Sequence, residues 1–120
     1  MIQLTAHMRL LAAVEPVDFR RGIDGLAQVC RARLGADPFL GTVFLFRNRS
    51  ATAVKVLVYD GQGFWLCHKR LSKGRFAFWP TSSERATRSL EPHQVQLLLS
   101  AGDPGAGEVP EPWRRLPQAP

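Results

Sequence analysis

Apolar and polar positions divide the first hundred residues into short segments. Residues 8–14, MRLLAAV, form an apolar run closed by Glu15-Pro16 and predict a short strand. From Phe19 the apolar positions fall at Phe19, Ile23, Leu26, Cys30 and Leu34. At helical spacing these five lie within an arc of about 80°, one stripe that needs a core. Asp18 is placed to cap this helix and Gly35 to end it. Gly22 and Gly25 inside it cost roughly 1 kcal/mol each against Ala, so close packing is expected to compensate. Four segments rich in Val, Phe, Tyr and Trp follow: 42–48, 52–60, 64–70 and 75–79, the last stopped by Pro80. Their connections are short, and Asp60-Gly61 is a hairpin signal.

The hairpin at residues 60–63 sets a register. Pairing Tyr59 with Phe64 places Leu57 opposite Leu66 and Lys55 opposite His68. The other face then carries Val54, Val56, Val58, Trp65 and Cys67, and this apolar face is expected to receive the helix stripe. Residues 81–89 are polar and read as a loop. Leu90-Glu91-Pro92 starts a second helix with Val95, Leu98 and Leu99 on its buried side, ended by Gly102. The expected fold is α+β: an antiparallel β-meander sheet of four to five strands packed against an N-terminal helix, with a short C-terminal helix. Residues 1–102 form one domain. Residues 103–120, with five prolines and only Trp113 and Leu116 as large apolar groups, read as a mobile tail.

Composition narrows the class. The chain has 120 residues, 45% hydrophobic and 22% charged, which fits a single globular domain and excludes disordered, collagenous and coiled-coil chains. No apolar run is long enough for a membrane span, and the N-terminus lacks the basic start of a signal peptide. A cytoplasmic chain with two reduced, buried thiols, Cys30 and Cys67, is expected. The net charge is +6, and its distribution matters more than its size. Residues 41–80 hold seven bases, Arg47, Arg49, Lys55, Lys69, Arg70, Lys73 and Arg75, against the single acid Asp60. Long cations at strand ends and turns suit contact with phosphates, so these seven are the candidate nucleic-acid-binding residues. Phe44, Phe46, Phe76, Phe78 and Trp79 read as core rather than as base-stacking groups.

Catalytic constellations are not evident. Asp18 and Asp24 face different directions on the expected helix, one suited to a cap and the other to pairing with Arg20. Cys67 and His68 are neighbours in a strand and point to opposite faces. His7, His68 and His93 are scattered, and no phosphate loop is present. No catalytic residue, metal site or cofactor is expected.

Four separated motifs carry a family resemblance: PVDFRRGIDGL (16–26), DPFLGTVFLFRNR (37–49), KVLVYDGQGFWLCHKRLSKGRFAFWP (55–80) and LEPHQVQLLLSAGD (90–103). Together they resemble the transposase accessory protein of insertion-sequence-66 elements, known as TnpB. The family-like positions include Asp18, Arg20, Gly22, Asp24, Gly25, Asp60, Gly61, Gly63, Lys69, Arg70, Gly74, Arg75, Phe76, Trp79 and Pro80. The chain departs from the pattern at Glu91, where Ser or Thr is typical, and in its Pro-rich end. The resemblance implies a small, non-enzymatic bacterial protein acting beside a DDE-type transposase in DNA transposition. Its expected partners are DNA, held electrostatically, and that transposase. The alternative is a protein–protein module docking on the transposase without DNA contact. An exposed strand edge also allows a homodimer.

Overall fold

The computed structural model describes residues 8–100. Seven elements follow in order: β1 (Leu10–Ala13), α1 (Ile23–Ala32), β2 (Val43–Arg47), β3 (Ala53–Tyr59), β4 (Phe64–Arg70), β5 (Thr87–Ser89) and α2 (Pro92–Leu99). The fold is α+β, with one five-stranded sheet in the order β4-β3-β2-β1-β5. β1 and β2 run parallel, and every other neighbouring pair is antiparallel. The sheet is therefore mixed, not the antiparallel meander expected. Parallel neighbours need a long crossover, and the stretch containing α1 provides it between β1 and β2.

The β3–β4 register is the expected one, with Tyr59 opposite Phe64, Leu57 opposite Leu66 and Lys55 opposite His68. The fourth expected strand is different. Residues 75–79 form no strand; they cross one face of the sheet and fill it. Phe76 is buried there, and Phe78 and Trp79 pack beside it. The Trp79 indole Nε1 donates to the Ala13 carbonyl at 2.8 Å, which fixes the crossing segment on β1. The fifth strand is instead Thr87–Ser89, read from sequence as a polar loop. It pairs with β1 as an edge strand, is largely exposed, and so needs no apolar alternation.

Two apolar layers enclose the sheet. On one face α1 packs Leu26, Val29 and Cys30 against Leu11, Ala13, Phe44, Phe46 and Leu57. On the other, α2 packs Val95 and Leu98 against Leu10, Ala12, Val43, Leu45, Val54 and Val58, together with Phe76. The N-terminal helix thus covers the Leu57 and Leu66 face, and the Val54, Val56 and Val58 face expected to receive it is covered by α2 and residues 71–79. The cause is Lys55. It is only 6% exposed, and its Nζ donates to the carbonyls of Phe19 at 2.9 Å and Arg21 at 2.8 Å. The lead-in to α1 is thereby tied to the face that carries Leu57 and Leu66. The ammonium also lies 4.9 Å from the centre of the Phe19 ring.

Helix α1 starts later than its apolar stripe. Asp18 does not cap it: the carboxylate accepts from the Arg20 backbone N–H at 2.9 Å and pairs with the Arg20 guanidinium at 2.6 Å. That pairing also takes Arg20 away from Asp24, the partner expected for it. Gly22 is the N-cap residue and makes no side-chain cap bond. Ile23, on the expected stripe, is 36% exposed. Gly35 takes φ +61° beyond the helix, as a terminating glycine should. Gly25 has a local reason: a Cβ there would lie 2.9 Å from the Cβ of Arg21, which is anchored to the backbone and cannot swing aside. The close approach comes from the preceding turn and not from a second element. The N-terminal seven residues and the expected tail at 103–120, with the domain limit at 102, lie outside the described residues.

Two outcomes test this packing by urea unfolding. Lys55→Met should lose about 1–3 kcal/mol, because two carbonyls forfeit a charged donor. An exposed control, Arg75→Met, should stay within about 0.5 kcal/mol of wild type. Gly25→Ala should destabilise despite an intrinsic helix preference near 1 kcal/mol, whereas Gly22→Ser should gain a few tenths of a kcal/mol by supplying a cap.

Candidate nucleic-acid interface

The antiparallel register gathers most of the expected cations at one end of the sheet. Arg47 at the end of β2 faces Val54 near the start of β3, and Val54 faces Lys69 near the end of β4. Arg70 ends β4 opposite Ala53. The following loop is tied to the β2–β3 turn, with Leu71 N–H donating to the Thr52 carbonyl at 2.9 Å and Phe76 N–H to the Ala51 carbonyl at 2.8 Å. The loop that carries Lys73 and Arg75 is therefore tied to the turn that carries Arg49. The turn itself is rigid: the Asn48 side chain accepts from the N–H groups of Thr52 and Ala53 and donates to the Thr52 hydroxyl. Ala51 takes φ +58° there.

The seven candidates do not form one set. Arg49, Arg70, Lys73 and Arg75 are exposed, and no carboxylate pairs with them among the described residues. Arg47 is half-buried, and its Nε is buried without a hydrogen-bond partner. Lys69 donates to the Leu99 carbonyl at the end of α2, so it also serves as a helix C-terminal cation. Lys55 is a correction. A buried ammonium already donating to two backbone carbonyls is a structural group and leaves the candidate surface.

One cation at this end is absent from the sequence-derived set. Arg33, the C-cap residue of α1, lines an open cleft of about 680 Å³ with Asp18, Phe19, Asn48, Arg49 and Ser50. Sequence offered no signal for it, because Arg33 reaches Arg49 only through the parallel β1–β2 pairing. Asp18 is ionised beside it: the hydrogen bond and charge of Arg20 hold its carboxyl down at about 2. That carboxylate is matched by Arg20, and among the described residues no carboxylate forms an ion pair with Arg33 or Arg49.

The opposite end of the sheet is aromatic. Phe39, Tyr59 and Phe64 contact one another with ring centres 4.9–5.1 Å apart, and Arg31 lies 5.9 Å from the centre of the Phe39 ring. Phe39 and Leu40 are 50% and 75% exposed. At the adjacent turn Asp60 accepts from the N–H groups of Gln62 and Gly63 and from Trp65 Nε1, and these bonds lower its pKa. Gly61 takes φ +97°, which accounts for a glycine there. Asp60 is thus fully used as a turn organiser. Trp79 and Pro80 lie in the crossing segment as packing residues.

The two cysteines have different surroundings. Cys30 is buried under α1, and burial pushes its thiol up to about 12, far from a reactive thiolate. Cys67 is exposed on β4, contrary to the expectation that both are buried, because β4 is an outer strand. No group of three or more His, Cys, Asp or Glu side chains among the described residues has the arrangement of a metal site. No helix among them is long and apolar enough to cross a membrane.

Comparison with known proteins identifies the family. The chain is 32% identical over its full length to the uncharacterised protein y4jC of Sinorhizobium fredii, covering 93% of that protein. It is 39% identical over 97 residues to the uncharacterised protein y4hO of the same organism, covering 81% of this chain and 83% of the relative. No solved structure matches. The family profile described as IS66 Orf2-like protein matches residues 8–106, which include all of the described fold. The chain belongs to the IS66 Orf2-like family, and that membership implies an accessory role in transposition.

Proposed function

We propose that this protein assists transposition by binding DNA phosphates with the cationic end of its sheet. The observation that carries the reading is the exposed group of Arg49, Arg70, Lys73 and Arg75, with Arg33 across the cleft and no carboxylate paired to any of them among the described residues. A phosphate backbone needs such an array: cations on a rigid support, free to exchange their hydration and release counterions. The rigid support is the Asn48-centred turn and the loop bonded to it. The aromatics that sequence placed near these cations are used elsewhere. Phe44, Phe46 and Phe76 are core, so contact with the backbone rather than base stacking is the mode that fits.

The exposed Phe39 and Leu40 favour a second reading in which the aromatic end docks on the element's transposase. The two ends are distinct, so the readings separate experimentally. Pull-down of the transposase from nuclease-treated lysate, lost on Leu40→Asp but kept in Arg49→Ala/Arg75→Ala, supports docking.

For DNA binding, fluorescence anisotropy with element-end duplex should show affinity falling steeply with salt. The double variant Arg49→Ala/Arg75→Ala should keep its melting temperature, and the slope of log K against log salt should shrink by about 1 per residue removed. Absence of binding at low salt, or an unchanged slope in the double variant, rejects the reading.

A further inference from the structure

The β4 strand is an outer edge of the sheet and the more exposed of its two edges. Its backbone geometry is readable from the hairpin. Asp60 N–H donates to the Gly63 carbonyl at one end, and Leu71 N–H to the Thr52 carbonyl at the other. Bonded pairs alternate along an antiparallel ladder. Trp65, Cys67 and Lys69 therefore direct their backbone groups inward to β3. Phe64, Leu66, His68 and Arg70 direct theirs outward, and among the described residues those groups have no backbone partner. The seven paired positions run without a bulge or proline. Trp65 is 53% exposed beside this edge, and Cys67 is exposed with it.

From this edge we infer that a second copy of the chain pairs antiparallel with β4, the two-fold axis passing at Cys67. Cys67 is the midpoint of Phe64–Arg70, so this register alone matches the whole strand to itself. It sets Arg70 of the second copy opposite Phe64, Lys69 opposite Trp65 and His68 opposite Leu66. Each cation therefore meets an apolar or aromatic side chain and no cation meets its own copy. The cationic end of each β4 also comes alongside the Asp60 turn of the other copy. The outward groups of positions 64 and 70, and of 66 and 68, then form the bonded pairs. Charges on an edge strand normally discourage pairing, but here they occupy its last two positions, Lys69 and Arg70, and the two-fold moves them away from one another.

Cys67 with itself becomes a non-bonded antiparallel pair. Such pairs hold their Cα atoms about 4.5 Å apart, inside the disulfide range of about 4.4–6.8 Å. This makes Cys67 a reporter. The full chain under reducing conditions should have twice the chain mass by light scattering, and Cys67→Ser should leave that mass unchanged. Oxidised glutathione, itself reduced to two thiols, should convert the dimer to a disulfide-linked species in wild type and in Cys30→Ser but not in Cys67→Ser. His68→Pro removes an outward N–H while sparing the β3 ladder. It should keep the circular dichroism spectrum and raise the dimer dissociation constant at least about tenfold. Should that variant misfold, amide exchange on wild type decides: the 66 and 68 amides should gain protection as concentration rises. A monomer at every concentration overturns the inference, as does a cross-link surviving in Cys67→Ser or a dimer indifferent to a folded His68→Pro. Protection of these amides in a monomer also overturns it, assigning the edge to another part of this chain.

Discussion

The constraint on which this fold rests is the burial of β1 and β2 on both faces. Leu10 to Ala13 and Val43 to Phe46 are all at most 5% exposed, whichever way their side chains point. A pair of strands with no solvated face needs a cover above and below. Helix α1 supplies one, and α2 with residues 71–79 supplies the other. The parallel pairing of the two strands is part of the same solution, because the connection between them carries α1 across the sheet. The cationic end inherits its geometry from this arrangement: β1 and β2 finish at the same end, and Val17 N–H donates to the Arg47 carbonyl at 3.0 Å. That bond seats the Pro16–Phe19 wall of the cleft against the turn that carries Arg49.

Much of this was legible in sequence where a rule acts locally. The Asp60-Gly61 hairpin fixed the β3–β4 register pair by pair, and Pro92 marked the start of α2. Misreadings arose where a distant contact overrode a local pattern. Lys55 reads as a solvent-facing cation, yet its ammonium is taken up by two backbone carbonyls thirty-odd residues earlier in the chain. The aromatic run at 75–79 has strand composition, but Trp79 finds its partner on β1 and draws the segment across the sheet. Thr87–Ser89 has no strand pattern, because an exposed edge asks for hydrogen bonds and not for burial.

The candidate site shows the same division. Charge counting singles out the middle of the chain but cannot separate a lysine that faces solvent from one that ties down the lead-in to a helix. Lys55 and Lys69 both bond backbone carbonyls, yet one is buried against the lead-in to α1 and the other is exposed at the end of α2. Arg33 was invisible for the opposite reason. Its neighbours in sequence are helical, and only the crossover delivers it to Arg49. Of the exposed cations Arg70 stands on β4, while Arg49, Lys73 and Arg75 stand on a turn and a loop that backbone bonds tie together.

The two borders of the sheet are unequal, seven residues on one side and three on the other. The short border ends in Ser89 with Arg88 exposed and offers little for a neighbour to extend. Growth by strand addition is therefore one-sided. Copies that meet through the long border consume it mutually and stop at a closed pair, with no open ladder left to propagate into a fibre.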